Sequence, residues 1–429
     1  MRILWLNFGL LPEACRVMGY TPDAGCGWIP SLLEALLAAD CDNEYCVLSL
    51  DYRPCDVQVG RVRYVSMAVS KIRFTYRHVP ESIQAKIARI IRGFKPDVIH
   101  VHGTEYFFGC MDESVYGGVP VVVSLQGIIS GCARQMSGGF HPAEIRWTNF
   151  CLRGILKGQT IFGEQRRWLQ DRTEQEARVI KQQRNFIGRT EWDESWVRYY
   201  NPSSRYFHVD EALRPEFFLS PRKYQKRSHS IFCSGAASCP LKGAHWLIRA
   251  VSSLKGAFPD IQLRVAAADY LRNGRSFFAR LKDPPYWTYL RRLISDLRLQ
   301  DDVVILPPLS AAEMRDELER AELFVLPSMC ENSPNSLGEA MLVGTPSIAT
   351  FVGGVPSILK DGVEGKLVPP GDSAALAGEI RRWFLHPEEA EACVEPARAT
   401  ALKRHDAKAN AEATLAVYRE LAGIRMEQS

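Results

Sequence analysis

The most constraining feature of the sequence is residues 322–350, which read as a strand, a loop, a helix and a second strand. The apolar run at 323–326 is short and bounded by polar residues, as is typical of a strand buried on both faces of a parallel sheet. Ser333 is a suitable N-cap and Pro334 suits the first helical position, so we predict a helix that ends at Gly344. The following strand then completes a right-handed βαβ crossover.

The start of this helix predicts an anion site. A helix that begins at the carboxyl end of a parallel strand directs unpaired N–H groups and the positive end of its dipole into the crevice where open sheets bind ligands. Asn335 and Glu339 are four residues apart and share a helix face, and Glu331 precedes the helix in the loop. Because a carboxylate can accept two vicinal hydroxyls, the stretch predicts binding of a sugar, a diphosphate and a ribose.

Glu331 and Glu339 form an E-x7-E pattern within the run ENSPNSLGEAMLVGTP. This run resembles the donor-binding motif of the family-four retaining glycosyltransferases of the GT-B fold, also described as glycosyl transferases group 1. The resemblance implies that Glu331 contacts hydroxyls of the transferred sugar and that Glu339 contacts the nucleotide ribose. The donor-binding residues that we expect between them are Ser333, Pro334, Asn335 and Ser336. The alternative is a pair of solvated acids on a surface helix, which the full motif disfavours.

The composition is that of a soluble protein with two domains. A length of 429 residues suits two cores, and the apolar content of 46% and charged content of 24% are ordinary. A net charge of +4 is too mild to indicate a nucleic-acid partner. The twelve cysteines include no C-x-x-C pair, which favours reduced thiols in a cytoplasmic protein. We interpret the apolar opening residues as a buried strand and not as a signal peptide, and no run has the ~20 apolar residues of a membrane span.

A glycine loop follows the first strand. Gly25 and Gly27 precede a helical pattern, and glycines at a helix start let backbone N–H groups approach a phosphate. The family resemblance implies that this loop lies beside the donor diphosphate. A tight turn is the alternative, because a lone G-x-G is a weak signal.

Two residues at predicted strand ends are further candidates. Gln126 follows a strand at 121–125, at the position where the family usually has a histidine that faces the transferred sugar. His102 ends a strand at 97–102 and points to the same side as His100, since side chains alternate along a strand. No third ligand is evident nearby, so we expect His102 to be a polar contact at the cleft edge rather than a metal ligand.

One D-x-D pattern is present, at Asp40 and Asp42, and metal-dependent glycosyltransferases use such a pattern to hold a divalent ion. These residues follow the first helix and precede a strand, which places them at the amino-terminal edge of the sheet, away from the ligand crevice. We therefore predict no metal and no cofactor.

The second half of the chain restarts the alternation of strands and helices after a basic, proline-marked linker at 221–229. Strands at 230–234, 262–266 and 303–306 alternate with helices at 244–254 and 287–297, which predicts a parallel doubly wound sheet. We expect an acceptor-side domain at 1–220 and a donor-binding domain at 229–400. The resemblance implies that the final helix, near 407–424, packs back on the first domain.

Lys242 and Gly243 resemble the end of the family motif R-x4-K-G, whose two cations hold the donor diphosphate. Lys242 matches and supplies a point charge for phosphate, whereas alanines at 236 and 237 stand where the arginine is expected. A solvated loop lysine is the alternative. The resemblance also implies that Leu309, in the loop after the strand at 303–306, contacts the nucleotide base through its backbone.

The alternation of strands and helices predicts an α/β protein, and the resemblance implies the GT-B fold, with two Rossmann-like doubly wound parallel-sheet domains that face each other across a cleft. The resemblance implies a metal-independent, retaining hexosyltransferase that moves a sugar from a nucleotide-diphosphate sugar to a glycan or lipid-linked acceptor. Surface polysaccharide or glycoconjugate biosynthesis would be its setting, with Glu331 and Lys242 as the catalytic residues. A nucleotide-sugar epimerase of the same fold and a non-catalytic nucleotide-sugar sensor are the alternatives.

Residues 128–186 are longer than a crossover needs, and they carry ten Lys and Arg against five acidic residues, interleaved with aromatic and aliphatic side chains. Such a segment can bind anionic lipid at a membrane surface. We hypothesise that it forms the acceptor-side wall and docks the enzyme on the inner face of the membrane, with Arg166, Arg167 and Trp168 at the contact. The alternative is that its apolar residues pack onto the first domain and its charges are solvated.

Overall fold

The structure is a computed structural model. It describes residues 1–21, 28–68, 78–141, 143–144, 160, 163, 165, 168–219, 226–235, 237–266 and 283–424. Gly25 and Gly27 of the predicted phosphate loop and the predicted membrane contacts Arg166 and Arg167 lie outside these residues, as does the side chain of Trp168.

The strands are β1 (Arg2–Phe8), β2 (Glu44–Asp51), β3 (Asp56–Val59), β4 (Val62–Ala68), β5 (Val98–His102), β6 (Val121–Ser124), β7 (Asn185–Gly188), β8 (Arg205–His208), β9 (Ser230–Ser234), β10 (Gln262–Ala266), β11 (Val303–Leu306), β12 (Leu323–Leu326), β13 (Ser347–Thr350) and β14 (Lys366–Val368). The α-helices are α1 (Pro12–Met18), α2 (Trp28–Ala39), α3 (Glu81–Phe94), α4 (Glu113–Tyr116), α5 (Ile129–Gln135), α6 (Thr173–Gln182), α7 (Glu191–Tyr200), α8 (Ala244–Leu254), α9 (Pro285–Asp296), α10 (Ala311–Arg320), α11 (Asn335–Val343), α12 (Ser373–Leu385), α13 (Pro387–Ala392), α14 (Val394–Arg404) and α15 (Ala407–Leu421). Shorter helical turns are Phe107–Cys110, Trp168–Arg172, Pro215–Phe218, Pro240–Lys242 and Val355–Ser357.

The chain forms two compact units. The first unit contains Met1–Ser130, Gln170–Arg214 and Arg404–Ser429, and the second contains Gly131–Leu169 and Pro215–Lys403. This division differs from a single break near residue 220, because residues after Ser130 group with the second unit. Tertiary contacts explain the difference: Trp246 of α8 donates a hydrogen bond from Nε1 to the Gly138 carbonyl at 2.9 Å.

The first unit is built on an eight-stranded sheet with the order β3-β4-β2-β1-β5-β6-β7-β8. The pairs are parallel except for β3 with β4, which are antiparallel. The strand order reverses at β1, because β2 lies on one side of β1 and β5 lies on the other. The carboxyl ends of β1 and β5 therefore flank the position where sheets of this kind bind ligands.

Helices cover both faces of this sheet. Alternate residues of β1 enter different cores: Leu4 and Leu6 pack with the Ile87 side of α3, whereas Ile3 and Trp5 pack with α2 and α15. This explains why the strand is apolar along its length rather than alternating.

Helix α15 belongs to the first unit. Its Tyr418 is fully buried, and the tyrosine hydroxyl lies 3.0 Å from Nε1 of Trp5, which donates to it, and 2.5 Å from Nδ1 of His100. Two aromatic rings of the sheet thus hold the last helix in place, and hydrogen bonds satisfy the buried Tyr418 hydroxyl.

The second unit is built on a six-stranded sheet with the order β11-β10-β9-β12-β13-β14, in which every pair is parallel. The strands predicted at 230–234, 262–266, 303–306, 323–326 and 347–350 have the observed bounds. Strands β9 and β12 are neighbours at the centre of the sheet, so the loops that follow them meet at its carboxyl edge.

Among the described residues, no helix combines the length and the apolar character that crossing a membrane requires.

Candidate active site

Lys242 lies in the loop after β9, at the end of the turn Pro240–Lys242 and directly before α8. The neighbouring loop after β12 supports it, because the Met329 amide donates to the Leu241 carbonyl at 2.7 Å. Gly243 is the N-cap of α8 and has a φ of 74°, in the left-handed region. A Cβ atom at Gly243 would collide with the Pro327 carbonyl oxygen and lie 2.8 Å from its carbon, so only glycine allows this approach.

Lys242 and Glu331 form an ion pair. The Nζ atom of Lys242 lies 2.7 Å from Oε1 of Glu331, and the Ser328 hydroxyl donates to the same oxygen at 2.7 Å. The Glu331 carbonyl accepts a hydrogen bond from the Gly354 amide at 3.0 Å. These contacts come from the loops after β9, β12 and β13, and they orient a carboxylate and a cation side by side.

Two opposing effects act on the lysine charge. Burial lowers the pKa of Lys242, but the charge of Glu331 and its hydrogen bond raise it more, so the net pKa lies above its usual value. The ammonium group therefore keeps its charge at neutral pH. The Lys242 side chain is 35% exposed and that of Glu331 is 10% exposed, so the cation is the more accessible partner for an incoming anion.

Helix α11 begins at Asn335 and not at Pro334, which corrects the predicted start. Pro334 is the N-cap, with φ −71° and ψ 108°, and the cap makes no side-chain hydrogen bond. The predicted N-cap role of Ser333 is therefore wrong, because the extended ψ of Pro334 delays the first helical turn by one residue. The helix ends at Gly344 as predicted, with φ 84° in the left-handed region.

The first turn of α11 carries polar groups that are available to a ligand. The first N–H groups of any helix lack an intrahelical acceptor, and here no capping side chain accepts from them. Oδ1 of Asn335 is buried and has no hydrogen-bond partner among the described residues. Ser333 and Ser336 are half-buried beside it. The arrangement suits an anion that brings oxygen acceptors and hydroxyl donors.

Glu339 lies one turn further along α11 and is 6% exposed. Its position four residues after Asn335 places both side chains on one face of the helix. Leu309 is half-buried in the loop between β11 and α10. The second unit thus brings Lys242 and Glu331 into contact and carries Glu339 on the adjoining helix.

His102 does not lie at an exposed edge, which corrects our expectation. It is 1% exposed, and its ring centroid lies 4.4 Å from that of Trp5, 5.6 Å from that of Trp28 and 4.0 Å from that of His100. Burial followed by the charge repulsion of His100 and Arg189 lowers the pKa of His102 well below its usual value. The imidazole is therefore neutral and buried inside the first unit.

Gln126, Asp40 and Asp42 lie at the strand and helix ends that the sequence predicted for them. Gln126 is half-buried after β6 in the first unit. Asp40 and Asp42 lie between α2 and β2, at the amino-terminal edge of the sheet, and Asp40 pairs with Arg419 at 3.2 Å. Among the described residues there is no group of three or more His, Cys, Asp or Glu that could hold a metal ion.

Sequence reasoning missed several contacts of the site. Ser328 and Gly354 hold Glu331, and Cys132 lies with its Sγ atom 3.8 Å from that of Cys330. The contact with Cys330 and then burial raise the pKa of Cys132 well above its usual value, so this thiol is protonated. The SMCE run could have suggested a serine near Glu331, but nothing local in the sequence links residues 132 and 330.

Comparison with known proteins finds a family match in the second half of the chain. Residues 220–400 match the model of glycosyl transferases group 1. This part of the chain is similar to that family. A D-inositol 3-phosphate glycosyltransferase of Pseudarthrobacter chlorophenolicus is 31% identical over 147 residues, which cover 34% of this chain and 32% of that protein. The chain therefore spans about a third of the length of this relative.

Solved structures match nearly the whole chain in fold. A sucrose-phosphate synthase from Thermosynechococcus elongatus has a TM-score of 0.72 at 16% identity and covers 99% of this chain and 100% of its own. Anabaena HepE in complex with UDP-glucose has a TM-score of 0.63 at 16% identity and covers 97% and 100%. With two parallel-sheet units, the chain has the GT-B fold that we predicted.

Proposed function

We propose that the protein is a retaining glycosyltransferase that moves a hexosyl group from a nucleotide-diphosphate sugar to a hydroxyl of a glycan or lipid-linked acceptor. The observation that carries this proposal is the 2.7 Å contact between Lys242 and Glu331 at the carboxyl edge of a group 1 domain. The related HepE was solved with UDP-glucose, which supports a nucleotide-sugar donor. The relative named as an inositol phosphate glycosyltransferase supports sugar transfer.

The main chemical requirement of this reaction is to stabilise the negative charge that develops on the departing diphosphate. The bond between the anomeric carbon and the diphosphate oxygen breaks, and its electron pair stays on the diphosphate. The acceptor oxygen bonds to the anomeric carbon, and its proton passes to an oxygen of the departing diphosphate. Lys242 and the first turn of α11 supply fixed positive potential for the leaving group, which is the largest catalytic effect available here.

The two glutamates take different parts of the donor in this proposal. Glu331 is fixed by Lys242 and Ser328 and accepts hydrogen bonds from hydroxyls of the transferred sugar. Glu339 accepts hydrogen bonds from the two ribose hydroxyls. When the donor binds, the Lys242 ammonium group donates hydrogen bonds to the diphosphate as well as to Glu331. The Glu331 carboxylate can then accept hydrogen bonds from the sugar.

A panel of nucleotide sugars tests the function. We expect ligand-observed NMR to detect binding of at least one donor, followed by slow release of nucleoside diphosphate and fast release when an acceptor is added. Free nucleotide released at full rate without acceptor, together with an altered sugar, would instead indicate an epimerase. Donor binding with no turnover under any condition would indicate a sensor.

Activity should survive chelation. We expect full transfer in EDTA, because the charge of Lys242 and of the α11 start takes the role that a divalent cation has in other transferases. The measurement is the initial rate with and without EDTA, and with added Mg²⁺ or Mn²⁺. Loss of the rate in EDTA and its recovery with either cation would contradict this and direct attention to Asp40 and Asp42.

The acceptor-side membrane contact stays a prediction. If the basic and aromatic segment at 128–186 docks on anionic lipid, the protein should sediment with vesicles that contain phosphatidylglycerol and less so as salt rises. Vesicles of phosphatidylcholine alone are the control. Equal recovery with both vesicles, or no sedimentation with either, would leave an acceptor that is not presented at a membrane.

A further inference from the structure

Glu105 is a buried acid at the ligand-binding edge of the first unit. It follows the end of β5 by three residues, and β5 lies between β1 and β6 in the sheet. The carboxyl ends of these strands form the edge where parallel sheets bind ligands. The residue as a whole is half-buried, and the Oε2 atom of its carboxyl group is buried.

The Glu105 carboxyl group lies between the loops that follow β5 and β6. A Cβ atom at Gly103, which has a φ of 99°, would collide with Oε2 of Glu105 and lie 3.4 Å from Cδ of Gln126. A Cβ atom at Gly127 would lie 3.8 Å from Oε1. Both glycines thus leave the space that the carboxyl group occupies, and they bring it next to the Gln126 amide.

One carboxylate oxygen of this acid has no partner within the described part of the first unit. Oε2 of Glu105 is buried and accepts no hydrogen bond from any described residue. Its neighbour Glu176 differs, since its carboxylate accepts from the amides of Ile129 and Ser130 at 2.7 Å each and from the Thr104 hydroxyl at 3.2 Å. Glu176 holds the start of α5, whereas Glu105 is left with a buried acceptor, which is costly unless a ligand uses it.

The surroundings hold Glu105 near its protonation midpoint at neutral pH. Burial raises its pKa to about 7, and the nearby charge of Glu176 acts in the same direction. A backbone hydrogen bond and the charges of Arg172 and Arg189 act in the opposite direction. Burial also raises the pKa of Glu176 in spite of its three donors, so the unpaired Oε2 atom, and not the raised pKa, distinguishes Glu105.

We propose that Glu105 binds a hydroxyl group of the acceptor, an inference that rests on the proposed function. A hydroxyl donor satisfies the unpaired oxygen, and the adjacent Gln126 amide can bind a second hydroxyl of the same polyol. The donor diphosphate is an unsuitable ligand, because an ionised carboxylate repels it. Glu105 therefore binds the sugar alcohol of the acceptor at the ligand-binding edge of the first unit.

Glu105→Gln and Glu105→Ala test this proposal, with octyl glucoside and octyl galactoside as acceptor probes. We expect kcat/KM for the accepted glycoside to fall about 10- to 100-fold, the effect of losing a hydrogen bond to a charged group. Affinity for nucleoside diphosphate and the slow hydrolysis of the donor by water should stay unchanged. Glu113→Gln, at an exposed glutamate of α4, is the matched control and should leave every rate unchanged.

The pH profile separates this binding role from a structural one. The ionised carboxylate is the better acceptor, so kcat/KM for the glycoside should rise with pH through about 7 in the wild type and lose this step in Glu105→Gln. Stability gives a second readout. Because the folded-state pKa is raised, ionisation of Glu105 lowers the stability of the wild type as the pH rises from about 4.5 to 7. Glutamine does not ionise, so the difference in Tm between Glu105→Gln and the wild type should be more favourable to the variant at pH 8 than at pH 5.

Each contrary result has a distinct meaning. Unchanged glycoside kinetics in Glu105→Gln with normal donor turnover would overturn this inference alone. Equal losses in glycoside transfer and donor hydrolysis would show that Glu105 contacts the donor sugar, which also overturns it. The inference would also be overturned if the wild type hydrolysed the donor but neither bound nor glycosylated either glycoside. A wild type that binds no nucleotide sugar would overturn the proposed function, and the inference with it.

Discussion

Replacing Glu331 by alanine should lower the rate of sugar transfer about 100- to 1,000-fold while the affinity for free nucleoside diphosphate stays within about threefold, as expected for a contact with the transferred group. The nucleoside diphosphate lacks the sugar that Glu331 is proposed to bind. Its phosphates gain from the change, since Lys242 loses the carboxylate that lies 2.7 Å from Nζ. Single-turnover rates and isothermal titration with UDP, GDP and ADP would measure the two quantities.

Glu339→Ala is the matched control for this experiment, because both residues are buried glutamates of the same motif. A ribose contact is present in donor and product alike, so its loss is a loss of uniform binding. We expect Glu339→Ala to weaken nucleoside diphosphate and donor by the same factor, about 10- to 100-fold, which corresponds to hydrogen bonds with a charged group. If both variants lost the same affinity for free nucleotide, the assignment of sugar and ribose to the two glutamates would be wrong.

Gly243→Ala should destabilise the second unit by about 3 kcal/mol, which corresponds to a fall in its Tm of about 6–12 °C. Two causes act together. The φ of 74° at Gly243 disfavours any residue with a side chain, and the added Cβ collides with the Pro327 carbonyl. The loops after β9 and β12 would have to separate, so the Lys242 to Glu331 contact and the transfer rate should fall as well.

Calorimetry of the purified variants measures this effect. Gly378→Ala is the matched control, because Gly378 lies inside α12 and a Cβ there meets nothing within 4 Å. Alanine in a helix interior is expected to stabilise by about 0.5–1 kcal/mol. Gly243→Asn separates the two causes, since asparagine tolerates a positive φ but carries the same Cβ. A stable Gly243→Asn protein would show that backbone strain, and not the collision, makes glycine necessary.

Much of the fold could be predicted from local patterns. Strands β9 to β13 have the predicted bounds because each is a short, mainly apolar run between polar residues. The edge strands β3 and β8 were not predicted. Asp56–Val59 has exposed and half-buried residues only, so its pairing with β4 depends on the neighbouring strand and not on its own composition.

The division into units illustrates a limit of the linear view. A basic linker near residue 221 suggested one boundary, yet Gly138 and Phe140 join the second unit, where the Phe140 ring stacks on His245 at 4.2 Å. Packing between residues about a hundred positions apart decides this, and no local pattern encodes it. The same applies to His102, whose position in an aromatic cluster depends on Trp5 and Trp28 rather than on its place at a strand end.

The sequence by itself determined which residues carry the proposed donor site, because the spacing of Glu331 and Glu339 and the Lys242-Gly243 pair depend on one helix and one turn each. Only the tertiary structure decided what these residues contact. The ion pair of Lys242 with Glu331 needs β9 and β12 to be neighbours, and the unpaired acid at Glu105 needs the glycine loops after β5 and β6 to meet. The hydrophobic periodicity of a segment predicts one helix or strand at a time. Contacts between loops depend instead on the order of the strands, which is set when the whole sheet assembles.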